Sequence, residues 1–291
     1  MESRATEGSA TGSALRAHGL VRTYRVGWRR RARRGLDGLD LDLPRGAIHA
    51  LVGPNGSGKS TLLRLVSGAE RADAGQLEVL GGAPGARAER VTWLPSESPF
   101  PRELGAREVL ELIASVRGLR EWSAEADALL QQVGLADAGT APTRTYSRGM
   151  LRRLGLAQAF LGAPELVLLD EPTAGLDAPG FQVLDSLLAR ARAAGTTVLL
   201  ASHLLEDVVE RCDTLSVLLD GRCRLHGEPR QLLQDAPGIA ARGLGPTDWD
   251  ALRAEVERRG GTLVPGTVRA SLGMGELYQR AADASEEPER S

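Results

Sequence analysis

Three short runs along the chain are apolar almost without interruption: Ile48 to Val52, Leu166 to Leu169 and Thr196 to Ala201, the first broken only by His49. Runs of that length without polar alternation predict strands buried on both faces, as in a parallel sheet covered by helices. From about 104 to 163 the strand signal vanishes and helical spacing replaces it. Val109, Leu112, Ile113 and Val116 follow i, i+3, i+4, i+7, and Ala126, Leu129, Leu130 and Val133 repeat the pattern. Ser123 is placed to cap the second of these helices and Gly134 to stop it. The pattern predicts an α/β core interrupted by a helical subdomain, about 97–163, within a body spanning 15–235. After 235 the composition turns Gly-rich and charged, and a small α/β appendage is expected over 236–282, with a helix from Thr247 to Arg259, a strand near Thr262 to Ser271 and a helix from Met274. Residues 1–14 and 283–291 read as polar, disordered tails.

Composition narrows the class. Hydrophobic residues make up 42% of the 291, enough for a substantial core, and 4 Trp, 3 Tyr and 3 Phe leave that core aliphatic. With 36 basic against 38 acidic residues the formal net charge is -2, which argues against a surface built to hold nucleic acid. No apolar run approaches the ~18 residues needed to cross a bilayer, so any membrane span is expected from another chain. The first fourteen residues lack the apolar stretch of a signal peptide. Cys212 and Cys223 show no metal or redox spacing and read as reduced, buried thiols of a cytosolic protein. Lys59 is the only Lys and Asn55 the only Asn in the chain. Positions 55 to 59 thus hold residue types that the rest of the sequence avoids.

Those positions lie in GPNGSGKST, which follows the strand IHALV and precedes the helical TLLRLVSG. The segment satisfies G-x-x-x-x-G-K-[ST] in its strand, loop, helix context, and predicts a P-loop NTPase core. Gly53, Gly56 and Gly58 let backbone N–H groups turn toward one anion, with Pro54, Asn55, Ser57 and Thr61 completing the loop around it. Lys59 is then the cation for the outer phosphates, and the Ser60 hydroxyl a ligand for Mg²⁺. A Gly-rich turn with a solvated lysine is the bland alternative, and the isolated lysine speaks against it. Further on, ELVLLDEP ends a buried strand with Asp170 and Glu171. Two carboxylates there are costly unless they meet a cation or a reacting water, and α/β sheets bind ligands at that end of their strands. Asp170 is expected in the Mg²⁺ shell and Glu171 to orient or deprotonate the attacking water. A helix-capping cluster around Glu171, Pro172 and Thr173 is the competing account.

Over about residues 14–235 the sequence resembles the nucleotide-binding subunits of ATP-binding-cassette transporters, in their drug and antibiotic exporter branch. The distinguishing segment is YSRGMLRRLGLAQAFL from Tyr146, similar to the family's LSGGQ signature and standing 23 residues before Asp170 when counted from Ser147. The resemblance implies that Ser147, Arg148 and Gly149, at a helix N-terminus, receive the terminal phosphate of an ATP bound by a second cassette. It implies a head-to-tail dimer, a homodimer being the simplest form, with ATP and Mg²⁺ between the two chains and a separate transmembrane permease as partner. The chain would then be a peripheral protein at the cytoplasmic face of the cell membrane. Ser147 as a mere helix cap is the alternative. Tyr24 matches the aromatic that stacks on adenine, although an edge-strand tyrosine would look the same. Ala174 to Asp177, AGLD, matches the loop that crosses the dimer interface. His203, directly after the strand TTVLLAS, matches the switch histidine and would be placed to touch a γ-phosphate, against the reading of a satisfied core histidine.

Two segments depart from the family pattern. Where the family places a Gln after the strand VTWLP, this chain has Ser96 followed by Glu97. Ser96 is too short to reach a metal or water as Gln does, so that Glu97 substitutes, a water replaces the side chain, or coupling is weaker. Leu15 to Arg34 holds eight Arg and no acid. Such a run reads as a solvated loop, or as a contact with anionic lipid headgroups through Arg29 to Arg34 or with a partner's acidic face. Three functions compete: an ATPase subunit of an exporter, a soluble cassette ATPase acting on nucleic acid or ribosomes, and a regulatory cassette with weak turnover. The 88 residues from Lys59 to Ser147 carry no coiled-coil heptads and the chain has one cassette, which disfavours the second. Glu171 and His203 are present, which disfavours the third. The transported substrate would be chosen by the partner chain.

Overall fold

The computed structural model describes residues 12–26 and 31–234. The expected unit at 236–282, most of the N-terminal tail, the tail at 283–291, and Arg29 and Arg30 lie outside the described residues. Two long antiparallel strands open the fold, β1 (Ser13–Val26) and β2 (Arg31–Pro44). β1 therefore begins inside the stretch expected as tail, and most of the Arg-rich segment expected as a loop is strand. The reason is visible in β2, where Leu36, Leu39, Leu41 and Leu43 are buried while Asp40, Asp42 and the arginines at 33 and 34 face water. An antiparallel strand with one wet face tolerates charge at every second position, as at Asp40 and Asp42, whereas around Arg33 and Arg34 both faces of the strand are exposed. β1 also pairs with β4 (Ala74–Val79), giving a three-stranded sheet in the order β2-β1-β4.

The second sheet has six strands: β5 (Val91–Leu94), β6 (Leu166–Asp170), β7 (Thr197–Ser202), β3 (Ile48–Val52), β8 (Thr214–Leu219) and β9 (Arg222–Gly227), in that spatial order. The first five run parallel and β9 antiparallel to β8. The three apolar runs are its centre, and they serve two cores because alternate side chains leave opposite faces. Ile48, Ala50, Val52, Val167, Leu169, Val198 and Leu200 enter one core. Leu51, Leu166, Leu168, Leu199 and Ala201 enter the other.

The first core is closed by α2 (Ala106–Arg117), α3 (Ser123–Gln132), α4 (Arg148–Phe160) and α5 (Ala178–Ala194). The second is closed by α1 (Lys59–Val66) and the three-stranded sheet. A short α6 (Pro229–Gln234) follows β9. Two helical details differ from the sequence pattern. On α2 the buried positions are Ala106, Val109, Leu110 and Ala114, whereas Leu112 is 45% and Val116 80% exposed. The packed face, with Ile113 half-buried at its edge, is thus rotated from the one the spacing suggested. On α3, Trp122 occupies the cap and Ser123 is the first helical residue, its hydroxyl taken by Arg107 Nη2 at 2.7 Å. Gly134 follows α3 at φ 65°, a left-handed stop suited to glycine. Both cysteines are free and half-buried, and burial pushes the Cys212 thiol up to about 12.

Candidate functional site

The C-terminal ends of β3, β6 and β7 lie side by side, so the segments that follow them converge. Residues 53–58 leave β3 and turn into α1, with Gly53 N–H donating to Ser202 O at 3.3 Å and Leu62 N–H to Gly58 O at 2.9 Å. Glycine is required at two points of this turn. Gly58 has φ 112°, and a Cβ there would stand 2.4 Å from the Gly35 carbonyl oxygen; a Cβ at Gly53 would stand 2.5 Å from that of Leu218. The turn brings Lys59, at the first position of α1, back beneath the loop, where Nζ donates to Gly53 O at 2.6 Å and Pro54 O at 3.3 Å.

A cleft of about 720 Å³ opens above this turn, lined by Asn55, Gly56, Gly58, Lys59, Ser60 and Thr61 on one side and by Tyr24, Ser96, Asp170 and Glu171 on others. Lys59 Nζ stands 3.7 Å from Glu171 Oε1. Burial draws the Lys59 ammonium below its ordinary range, opposed by the charges of Glu171 and Asp170. Asp170 is 3% exposed, and burial raises its pKa while a hydrogen bond from Ser60 pulls it down. Two buried oxygens in this region lack any hydrogen-bond partner, Ser57 Oγ and Asp170 Oδ1. An orphaned buried carboxylate oxygen is costly, and a cation relieves it.

No group of three or more His, Cys, Asp or Glu suited to a metal occurs among the described residues. One carboxylate and one hydroxyl side by side instead fit a hard ion that keeps phosphate oxygens and waters as its other ligands, as Mg²⁺ does. Ser60 and Asp170 therefore fit the expected ion.

Glu171 follows β6 with φ 50°, a conformation that non-glycine residues rarely adopt. Its N–H donates to Ala201 O at 2.8 Å, and Oε2 meets His203 Nδ1 at 2.8 Å and the His203 N–H at 3.3 Å. His203 is 44% exposed at its side chain, so it is not a core histidine. Ser96 lines the cleft while Glu97 is exposed and does not. The Tyr24 hydroxyl is 2.7 Å from Glu70 Oε2, and Arg22 covers one face of its ring, with Cζ 5.1 Å from the centroid. Arg25, Arg33 and Arg34 also line the cleft, so the described end of the Arg-rich segment faces this site.

The remaining expected residues stand apart. Ser147 caps α4, its Oγ accepting from Met150 N–H at 3.2 Å, and Asp177 caps α5, Oδ1 accepting from Gly180 N–H at 2.9 Å. A Cβ at Gly149 would stand 3.7 Å from the Gly175 carbonyl oxygen, so the start of α4 lies beside the AGLD loop. None of Ser147, Arg148, Gly149, Asp177 lines the cleft.

Sequence reasoning missed Arg152. It is 8% exposed on α4, and its guanidinium donates to the carbonyl oxygens of Pro172 (3.2 Å), Pro95 (2.9 Å), Ser96 (3.3 Å), Asp170 (2.6 Å) and Glu171. The available signal was its place on the apolar face of α4, three, four and seven residues before Gly155, Leu156 and Ala159, all buried.

The chain is similar to known proteins over most of its length. The ABC transporter family model matches residues 36–174. A daunorubicin resistance ATP-binding protein of Streptomyces coeruleorubidus is 41% identical over 213 residues, covering 71% of this chain and 67% of the relative. A Nod factor export ATP-binding protein of Sinorhizobium fredii is 37% identical over 209 residues, covering 70% of this chain and 61% of the relative. The fold matches a solved ATP-binding subunit of an ABC transporter with TM-score 0.68 at 26% identity, over 83% of this chain and 98% of that one. No helix among the described residues is long and apolar enough to cross a membrane.

Proposed function

The chain belongs to the ABC transporter family as an ATP-hydrolysing cassette, and from that premise we propose that it powers an exporter by pairing head to tail with a second cassette and coupling to a separate transmembrane permease. The names of its relatives, resistance to daunorubicin and export of Nod factor, support export as the direction. Such a subunit works as a peripheral protein at the cytoplasmic face of the membrane.

In this reading the N–H groups of Gly56 to Ser60 cradle the phosphates of ATP and Lys59 meets the outer two. Ser60 and Asp170 hold Mg²⁺, which supplies charge neutralisation at the phosphate oxygens. Glu171 Oε2, pinned by His203, takes the proton of the attacking water or fixes its direction. Tyr24, in the cleft wall, would meet the adenine.

The observation that carries the pairing is the division of the machinery. Lys59, Asp170 and Glu171 line one cleft, while the Ser147 turn, with its helix N-terminus, opens elsewhere. A phosphate bound by one chain can meet that turn only on another. The test is the mass of Glu171→Gln, measured by light scattering with and without ATP. A doubling with ATP supports the pairing, and a chain that binds ATP yet keeps its single mass overturns it.

A further inference from the structure

A charged side chain as buried as Arg152 is expensive unless every donor is met, and an apolar residue of similar volume often serves stability as well. Here all contacts are to backbone carbonyls and none is to a carboxylate. The acceptors belong to two separate segments: Pro95 and Ser96 after β5, and Asp170, Glu171 and Pro172 after β6. The guanidinium is a rigid planar fork, so its Nε and two terminal nitrogens fix the relative placement of both segments. The fork is itself mounted on α4 one turn beyond Ser147.

It also grips Glu171 where the backbone is least comfortable. The carbonyl of a residue held at φ 50° accepts from Arg152 Nη2, while the N–H of the same residue is tied to Ala201. A left-handed non-glycine residue persists only when its surroundings over-determine it. Two anchors on either side of the Glu171 side chain are such surroundings.

We propose that Arg152 is a positioning residue that holds the Glu171 carboxylate and the Ser96 loop in register with the start of α4, so that the helix carrying Ser147 and the hydrolytic carboxylate move as one unit. The inference rests on the reading of Glu171 as the carboxylate that acts on water. Lysine at 152 keeps the charge but has a single nitrogen, which cannot reach both segments in the same geometry. An error of about 1 Å in such a constellation costs on the order of 100-fold in rate.

The experiment compares wild type, Arg152→Lys, Arg152→Met, Glu171→Gln and the double variant Arg152→Lys with Glu171→Gln. It reads single-turnover ATP hydrolysis together with the number and affinity of ATP sites by equilibrium binding. Arg152→Lys is expected to slow hydrolysis about 10- to 100-fold while ATP sites stay stoichiometric and affinity changes less than about twofold. In the Glu171→Gln background the same change is expected to cost no further rate, because its effect runs through the missing carboxylate. Wild-type hydrolysis in Arg152→Lys overturns the inference. So does a rate that falls only in proportion to lost ATP sites, or an equal further loss in the double variant, since both mark a purely structural role. If Arg152→Met fails to fold, Arg152→Lys alone decides. Near-normal hydrolysis in Glu171→Gln would instead overturn the carboxylate reading beneath it, whatever Arg152 does.

Discussion

His203 Nδ1 lies 2.8 Å from Glu171 Oε2, and the His203 N–H reaches the same oxygen at 3.3 Å. One residue thus holds the carboxylate through both its ring and its backbone, while Oε1 faces Lys59. His203→Ala keeps the backbone contact and loses the ring. Turnover is expected to fall about 10- to 100-fold with ATP affinity changed less than about twofold, since a carboxylate free to rotate loses alignment rather than binding. Steady-state kinetics beside ATP titration checks this. A variant that loses affinity and rate alike would place His203 on the nucleotide instead.

Lys59→Ala removes the cation beneath the loop. The carbonyls of Gly53 and Pro54 lose their ammonium donor, but the Lys59 side chain itself lines the open cleft, so its removal leaves room for water there. ATP binding is expected to weaken severely and turnover to vanish, while the chain still folds. Isothermal titration together with thermal unfolding measures both, and near-normal turnover would remove the phosphate-loop assignment.

The parallel strands were legible because burial on both faces forces an uninterrupted apolar run, as in Ile48 to Val52. The phosphate loop was legible because its chemistry permits few residues, and Lys59 stood alone. The hairpin of β1 and β2 was not, because its wet face carries arginines that look like a loop when pairing partners are unknown. Arg152 was hidden for a related reason. Its partners are backbone carbonyls from two distant segments, and a carbonyl leaves no mark in a sequence. Which side of α2 packs was likewise set by neighbours, not by the spacing of its own apolar residues.

His49 gives a test of stability against pH. It is wholly buried on β3, with Nδ1 2.6 Å from Thr214 Oγ1 and Nε2 3.1 Å from Ser216 Oγ, and its ring stacks on that of His226. Burial, followed by repulsion from His226, lowers its pKa from 6.5 to about 3. Between those values the unfolded chain binds a proton that the folded chain refuses, so stability must fall as pH falls below about 6.5. The slope from this one group approaches ~1.4 kcal/mol per pH unit. His49→Gln keeps polar atoms near both hydroxyls and cannot titrate. Urea unfolding at pH 7 and pH 5.5 is expected to show a smaller loss in the variant than in wild type, and equal losses would mean that His49 is not the group responsible.

The family resemblance sets Ser96 at the position where a glutamine is expected, and Ser96 lines the cleft with Asp170 and Glu171. Its carbonyl is fixed by Arg152 Nη1 at 3.3 Å, so the backbone of this loop is already in place and only side-chain reach is missing. A serine must act on metal or attacking water through a further water that is free to leave, which loosens alignment in the transition state. Glu97 is the competing candidate for the missing role, but it is exposed and not part of the cleft wall. Ser96→Gln is therefore expected to raise turnover several-fold, up to about tenfold, with ATP affinity nearly unchanged, because only the transition state gains. Glu97→Ala is expected to leave both within about twofold. Turnover of the two variants against wild type separates the accounts. A sharp loss in Glu97→Ala with no gain in Ser96→Gln would assign the role to Glu97 and require the loop to move on nucleotide binding.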